Sequence, residues 1–262
     1  MHPILFQIGS LPIRSYGVSM AVAFLVGILV ARRRARAAGL HPDLIIDLSF
    51  FVIIASVAGA RAAYVLARWD WFGAHPSHVL RIWDGGLALY GGVVLGVVVG
   101  LLFFRKRGVD VWRGADVVAP SLALGVAIGR VGCFFNGCCH GRPCELPWAV
   151  TFPPGSYADH VFRGATVHPT QIYAALAALV FFFVLLLLDR KKPFDGFLLW
   201  LFVILLAVYR FAIDPIRHYE STSFLVRTGA LSLTKNQAAG LAMIVVAVAF
   251  MLHLSRRSRR DG

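Results

Sequence analysis

Apolar residues along this chain form seven long blocks, and short polar stretches separate them. Each block is sixteen to twenty-four residues long, close to the roughly 20 residues that a helix needs to cross a bilayer. The predicted spans are Tyr16–Ala31, Leu44–Ala67, Gly85–Phe104, Asp116–Phe135, Thr170–Leu188, Phe197–Ile213 and Gln237–Leu254. The pattern therefore predicts an all-α integral membrane protein with seven transmembrane helices.

Composition supports a membrane protein over a water-soluble one. Hydrophobic residues make up 58% of the chain, charged residues only 15%, and the mean hydropathy is +0.73. A water-soluble domain of this length would contain much less apolar sequence. We see no internal repeat and no soluble second domain, and we expect residues 1–262 to form a single polytopic membrane domain.

The net charge of +13 would suit a nucleic-acid-binding protein, but its distribution excludes that function. Fifteen of the 26 basic residues lie in four tight clusters after the first, third, fifth and seventh blocks. These alternate connections share one side of the membrane, which the positive-inside rule assigns to the cytoplasm. We therefore expect the N-terminus outside, a basic cytoplasmic tail at 255–262, an external loop at 136–169, membrane lipids as partners and no nucleic acid.

Three arginines, Arg61, Arg130 and Arg210, lie inside predicted spans. A charged side chain in hydrocarbon costs at least roughly 2.5–3.5 kcal/mol, so it calls for a partner or a function. All three lie near the predicted outer ends of their helices, within about 5–9 Å at 1.5 Å per residue. Two interpretations are open: the side chains snorkel to the headgroups, or they form a shared anion site.

Acidic partners for these arginines are scarce. Asp214 follows Arg210 by four residues and is within reach along a helix, whereas Asp47 and Asp116 lie near the predicted inner side. An external anion is then the expected partner, and arginine binds phosphate through a bidentate fork. At this depth the phosphate would belong to an outer-leaflet phospholipid. Other polar residues predicted at the same level are Tyr16, Tyr90, His168 and Gln171.

All four cysteines fall within one stretch of twelve residues on the predicted external side: Cys133, Cys138, Cys139 and Cys144. Their spacing matches neither paired C-x-x-C metal ligands nor a haem attachment motif. One or two structural disulfides in an oxidising compartment are the preferred interpretation. Reduced packing, a redox or acyl-carrying thiol, and a metal site with His140 are the alternatives. We expect no metal and no cofactor.

Six short motifs occur in an order that resembles the prolipoprotein diacylglyceryl transferase family over about residues 11–220. The motif with the most distinctive pattern, GRVGCFFNGCCHG, spans residues 129–141. The others are RSYG at 14–17, GARAAYVL at 59–66, WDGGLALYGG at 83–92, HPTQIY at 168–173 and RFAID at 210–214. The resemblance also implies seven helices with the N-terminus outside.

The resemblance implies a function. The family moves the diacylglyceryl group of phosphatidylglycerol to the thiol of the lipobox cysteine of a secreted prolipoprotein, and glycerol 1-phosphate leaves. This takes place in the bacterial cytoplasmic (inner) membrane, with the active site near the outer leaflet. By resemblance, Arg130 and Arg210 hold the lipid phosphate, and Tyr90 and Asp214 join them as catalytic residues. The implied substrate-binding residues are Arg61, Tyr16, Asn136, Gly137, Gly141, His168 and Gln171.

Several positions depart from the family pattern. Tyr90 replaces a histidine often proposed as the base, and a tyrosine is a poor base at neutral pH. Cys133 and Cys138 replace an asparagine and a glutamate. A tyrosine expected one turn before Arg210 is leucine here, with Tyr209 next to the arginine instead.

These departures leave the base open, with His140 and His168 as candidates. They also leave two alternative functions: a divergent paralogue with other phospholipid or thiol chemistry, or a membrane thiol-redox protein.

Overall fold

The computed structural model describes residues 4–9, 11–154, 156–218, 224–228 and 231–261. Within them, seven helices are long and apolar enough to cross a membrane, which confirms the predicted fold class. The protein is therefore a multi-pass membrane protein. The seven helices are α1 (Ser15–Ala37), α2 (Asp43–Ala67), α4 (Leu89–Lys106), α5 (Val111–Asn136), α7 (Thr170–Asp189), α8 (Phe197–Ile213) and α9 (Lys235–Asp261).

Shorter elements connect these helices. Two short helices of six residues each, α3 (Trp69–Ala74) and α6 (Tyr157–Phe162), lie in the second and fourth connections. Short 3-10 turns occupy Pro76–His78, Ile82–Asp84 and Asp214–Ile216. Strands β1 (Ile4–Ile8) and β2 (Leu11–Arg14) form one hairpin, and β3 (Phe224–Thr228) and β4 (Leu231–Thr234) form another.

The two hairpins are a structural repeat that the sequence analysis missed. Each is antiparallel and runs directly into a long helix, α1 or α9. The residue pair nearest the turn is Ile8 with Leu11 in the first hairpin and Thr228 with Leu231 in the second. The register shifts after the first strand residue in both hairpins, at Ile4 and at Phe224. The two hairpin–helix units therefore share one register, 220 residues apart.

Local chemistry sets the helix ends that differ from the prediction. Helix α4 begins at Leu89 rather than Gly85, because Gly85 and Gly86 have φ values of 86° and 77°, which are incompatible with a right-handed helix. A capping box starts α9: Gln237 N donates to Thr234 Oγ1 at 3.0 Å, and Thr234 N donates to Gln237 Oε1 at 3.1 Å. Helix α9 then continues through the basic tail to Asp261; Gly262 lies outside the described residues.

The chain divides into two compact units, one made of Met1–Val30 with Ala115–Gly262 and the other of Ala31–Gly114. In the second unit, α2 and α4 pack at backbone distance through small residues. A Cβ placed on Gly59 would lie 2.6 Å from Leu95 Cβ, and one on Gly92 would lie 2.8 Å from Ser56 O. Small residues allow this close approach of helices in a membrane, where packing rather than water exclusion drives association.

The first unit has an apolar core between α5, α7 and α8, built on Ala119, Ala123, Leu185, Leu198 and Phe202. Asp116 closes one end of this core and is only 1% exposed. Its carboxylate accepts hydrogen bonds from Gly196 N at 2.9 Å and Leu199 N at 3.1 Å, at the start of α8, and from Lys192 Nζ at 3.0 Å. Asp116 is therefore an N-terminal anchor for α8.

Candidate active site

The cysteine-rich motif forms a tight turn at the end of α5. Gly137 and Cys139 adopt left-handed φ values of 73° and 64°, which fold the chain back over the helix end. As a result, the Sγ atoms of Cys133, Cys138 and Cys139 all lie within 4.8 Å of one another. All four cysteines are free thiols, contrary to the preferred prediction of disulfides.

Two side chains at the start of α7 hold this cysteine turn. Thr170 Oγ1 donates to Cys139 O at 2.7 Å, and Gln171 Nε2 donates to Cys138 O at 2.8 Å. Thr170 is 3% exposed and Gln171 is 1% exposed. Gln171, which resemblance assigned to substrate binding, therefore has a structural partner through its amide nitrogen, while its Oε1 is buried without a partner among the described residues.

Backbone pairing brings a further segment to the turn. Gly141 N donates to His168 O at 2.9 Å, and Arg142 N donates to Ile216 O at 2.9 Å. Gly141 also forms an antiparallel bridge with Arg217. Glycine is required at 141 because a Cβ there would lie 2.6 Å from His168 Cβ and 2.8 Å from Ile216 O. The predicted residues Gly141 and His168 are thus adjacent, and Arg217 joins them.

Arg130 lies in the last two turns of α5, half-buried and six residues before the helix ends. Tyr209, on α8, and Cys139 both lie within electrostatic range of Arg130 and of Arg217. Among the described residues, Arg130 has no hydrogen-bonding or ion-pair partner, and the buried hydroxyl of Tyr209 has no hydrogen-bonding partner. Arg130, Arg217, Tyr209 and Cys139 therefore form a basic cluster, in which the Arg130 guanidinium and the Tyr209 hydroxyl are placed to meet an anion.

Arg210 also lies within electrostatic range of Tyr209, three residues before the end of α8. Asp214 is 3% exposed, and the partner of its carboxylate is Thr234 rather than Arg210: Thr234 Oγ1 donates to Asp214 Oδ2 at 2.7 Å. Asp214 Oδ1 is buried without a partner among the described residues. The carboxylate therefore links the end of α8 to the capping residue of α9.

Arg61 has a different environment in the second unit. It is 8% exposed, and its guanidinium donates to four backbone carbonyls, at Val79, Gly85, Gly86 and His78, over 2.6–3.0 Å. Its Cζ also lies 5.3 Å from the Phe72 ring centroid. Arg61 therefore holds the connection between α2 and α4 in place. One of its guanidinium N–H groups has no hydrogen-bond partner among the described residues.

The remaining predicted residues are distributed between the two units. Tyr90 is in the second unit, at the start of α4, and is 74% exposed. Tyr16 is in the first unit, within electrostatic range of Arg130 and of all three clustered cysteines. Asn136 ends α5 and its side chain hydrogen-bonds Cys138. His168 Nδ1 lies 3.5 Å from Tyr173 Oη.

Charges and hydrogen bonds give the thiols of the turn different acidities. Hydrogen bonds from Cys133 and Cys138, together with the charges of Arg217 and Arg130, lower the pKa of Cys139. For Cys138, a hydrogen bond with Cys133 favours the thiolate, but the bond to Cys139 and burial outweigh it and raise the pKa. Burial lowers the pKa of His140, so the neutral ring is favoured there.

Sequence reasoning did not identify Arg217, Tyr209 or Thr170 as members of this site. Arg217 lies in a polar connection and carries no motif of its own, and only the backbone pairing of 141–142 with 216–217 brings it to the cysteine turn. The sequence indicated Tyr209 only as a tyrosine next to Arg210, where the family pattern has its tyrosine one turn earlier. Thr170 was part of a matched motif, but its carbonyl partner cannot be inferred from side-chain chemistry.

Comparison with known proteins is consistent with the motif resemblance. A family model described as prolipoprotein diacylglyceryl transferase matches residues 3–253. Phosphatidylglycerol–prolipoprotein diacylglyceryl transferase of Bacillus velezensis is 34% identical over 263 residues, covering 100% of this chain and 95% of its own length. The protein of the same name from Geobacillus kaustophilus is 35% identical over 258 residues, covering 98% and 93%. That from Acaryochloris marina is 39% identical over 191 residues, covering 73% and 70%. The paralogue and thiol-redox alternatives are therefore not favoured.

Proposed function

We propose that this chain, which belongs to the prolipoprotein diacylglyceryl transferase family, transfers the diacylglyceryl group of phosphatidylglycerol to the lipobox cysteine of a secreted prolipoprotein. Beyond family membership, one observation carries the proposal. Arg130 is a half-buried cation near the end of a membrane-crossing helix and has no acidic partner among the described residues. Such a charge is stable at that depth when an anion binds it.

The reaction requires a phosphate site. Arg130 and Arg210 bind the phosphate of phosphatidylglycerol, and Arg217 adds a third positive charge near the same pocket. The acceptor sulfur forms a C–S bond to the glyceryl carbon while the C–O bond to phosphate breaks. The electron pair of that bond goes to the phosphate oxygen, and glycerol 1-phosphate leaves. Preorganised cations stabilise the developing charge on this leaving group.

The other site residues have supporting roles in this proposal. Tyr16 and the Tyr209 hydroxyl border the phosphate pocket, while Asn136, Gly137, Gly141, His168 and Gln171 shape the cysteine turn that forms one wall. Asp214 positions α8 through Thr234. Arg61 positions the connection between α2 and α4. Tyr90 lies exposed at the start of α4, in the second unit.

The basic clusters support an orientation with the N-terminus outside and the C-terminus inside the bacterial cytoplasmic membrane. In this orientation the C-terminal ends of α2, α5 and α8 face the outer leaflet. The cysteine turn and the 136–169 loop are then external, where a secreted prolipoprotein presents its lipobox cysteine.

A complementation assay tests the function. The chain is expressed in bacterial cells depleted of their own transferase, and lipidation of a reporter prolipoprotein is measured by its mass. The wild-type chain and Arg163→Ala, a change at an exposed loop arginine, restore lipidation; Arg130→Ala does not. Absence of lipidation with wild-type protein confirmed in the membrane would exclude the proposed function.

A further inference from the structure

The three clustered thiols have the geometry of a metal site. A tetrahedral Zn²⁺ with Zn–S bonds of about 2.3 Å places its sulfur ligands about 3.8 Å apart. The Sγ atoms of Cys133, Cys138 and Cys139 already lie within 4.8 Å of one another. Side-chain rotations that move the sulfur atoms by about 1 Å would therefore bring them to the separation that Zn²⁺ requires. Thiolate is also the ligand type that selects Zn²⁺ over hard cations.

The backbone that carries these thiols is fixed by bonds that do not involve sulfur. Thr170 and Gln171 bind the carbonyls of Cys139 and Cys138, and Cys138 N donates to Cys133 O at 3.2 Å. The fold therefore brings the three thiols together, and they also hydrogen-bond one another. Preorganised ligands of this kind lower the entropy lost when a metal binds.

The donor set contains three side chains and leaves the fourth position of a tetrahedron open. Among the described residues, no histidine, aspartate or glutamate joins this group. Structural zinc sites have four protein ligands, whereas catalytic ones have three and an open position for water or substrate. All three cysteines are only partly buried, which leaves a path for a fourth ligand.

We propose that Cys133, Cys138 and Cys139 bind one Zn²⁺ and that its open position takes the thiol of the acceptor cysteine. This inference rests on the proposed function, because the reaction needs a thiolate nucleophile and no described side chain has yet been assigned as its base. A thiol bound to Zn²⁺ is deprotonated outright, so the metal replaces the base.

The step balances without a further reactant. The acceptor S–H loses its proton to water as the sulfur binds Zn²⁺. The sulfur then uses an electron pair to form the C–S bond, and the C–O bond to phosphate breaks. Three protein thiolates, the acceptor thiolate and Zn²⁺ carry a combined charge of −2, and Arg130 and Arg217 lie within electrostatic range of Cys139 to offset it. The thioether product is uncharged and a weaker ligand, so it leaves.

Metal binding is tested first, without any need for transferase activity. Purified reduced protein is titrated with Zn²⁺ against a competing chelator, and with Co²⁺ as a spectroscopic probe of tetrahedral thiolate ligation. One equivalent is expected to bind. Cys133→Ser and Cys139→Ser lower the affinity more than about 100-fold, and Thr170→Val lowers it about 10–100-fold through the displaced turn.

The matched control is Cys144→Ser, since Cys144 lies outside the cluster and only its backbone N and O atoms bond Thr166. This variant keeps full affinity. Absence of Zn²⁺ binding to reduced wild-type protein, or equal loss in Cys144→Ser, would overturn the site. A disulfide among the three cysteines in protein isolated from membranes would also overturn it. Helical content by circular dichroism shows that a variant that loses the metal is still folded.

Activity is tested second, on the wild-type holoenzyme. Removing Zn²⁺ with a chelator is expected to slow transfer at neutral pH at least 10-fold, and added Zn²⁺ restores it. Transfer by the metal-free protein rises with pH towards the ordinary thiol pKa of about 8.5, because the acceptor must then ionise unaided. If the protein binds Zn²⁺ but transfers at the same rate after the Zn²⁺ is removed, the acceptor thiol is not the fourth ligand of the metal during transfer. Zinc binding in a holoenzyme that transfers nothing would overturn the proposed function and leave the metal site standing.

Discussion

Arg130→Ala should separate activity from stability. The guanidinium is half-buried and has no hydrogen-bonding or ion-pair partner among the described residues, so its removal leaves no protein group unsatisfied. Loss of one preorganised donor to a developing anion typically lowers the rate about 100- to 1,000-fold, or about 2.7–4 kcal/mol. We therefore expect kcat/KM for diacylglyceryl transfer to fall by that factor.

The stability of the same variant should not fall. An unpaired arginine in a membrane-crossing helix costs roughly 2.5–3.5 kcal/mol, and part of this is recovered when alanine replaces it. The melting temperature in detergent is therefore expected to be unchanged or higher. Arg130→Lys keeps the charge but loses the bidentate fork, so it should keep stability and recover only part of the activity.

The assay measures thioether formation on a lipobox peptide with phosphatidylglycerol in detergent, beside thermal unfolding of the same samples. The control variant is Arg142→Ala. Arg142 is an exposed arginine in the loop that follows α5, and it pairs with the 214–217 segment through its backbone and not through its side chain. Retained activity in Arg130→Ala would show that this charge merely reaches the headgroups. A large loss of stability would show that the arginine has a structural partner.

Three further variants test the surrounding structure. Arg61→Ala leaves four part-buried carbonyls without their donor and should destabilise the protein by about 3–5 kcal/mol, whereas Arg130→Ala should not. An unchanged melting temperature of Arg61→Ala would contradict the role of Arg61 in holding the connection between α2 and α4. Asp116→Ala should lower the stability of the protein by about 3–5 kcal/mol, measured by thermal unfolding. Asp43→Ala, which removes an exposed ion pair, should lower it by less than about 1 kcal/mol. Equal effects of the two variants would refute the anchoring of α8 by Asp116. Gly141→Ala places a Cβ 2.6 Å from His168 Cβ and so overpacks the turn. We expect the variant to lose about 1–3 kcal/mol of stability and most of the transfer activity. Full activity of the variant would exclude this contact.

The membrane helices were predictable because the bilayer imposes one strong rule: about 20 apolar residues per crossing. Helices α2 and α8 end at the predicted residues, Ala67 and Ile213. The hairpins were not predictable, because strands of four or five residues have no clear period beside an apolar helix. Their repeat lies in backbone pairing at equivalent positions, and few side chains are shared.

The candidate site was predictable as chemistry but not as geometry. Motif order indicated Arg130 and the cysteine-rich segment, because chemistry-bearing residues are visible in a sequence. The cysteine cluster depends on left-handed conformations at Gly137 and Cys139, which the spacing alone does not specify. Arg61 was grouped with the other arginines because its four partners are backbone carbonyls, which no residue type reveals.

The proposed reaction of this chain is the transfer of a diacylglyceryl group from phosphatidylglycerol to a cysteine thiol. The most direct measurement uses purified protein, phosphatidylglycerol and a lipobox peptide, and follows the peptide mass together with released glycerol 1-phosphate. We expect equal amounts of diacylglyceryl thioether and glycerol 1-phosphate, with neither formed from a peptide whose lipobox cysteine is serine. Release of glycerol 1-phosphate without the thioether, or no product from folded wild-type protein, would contradict it.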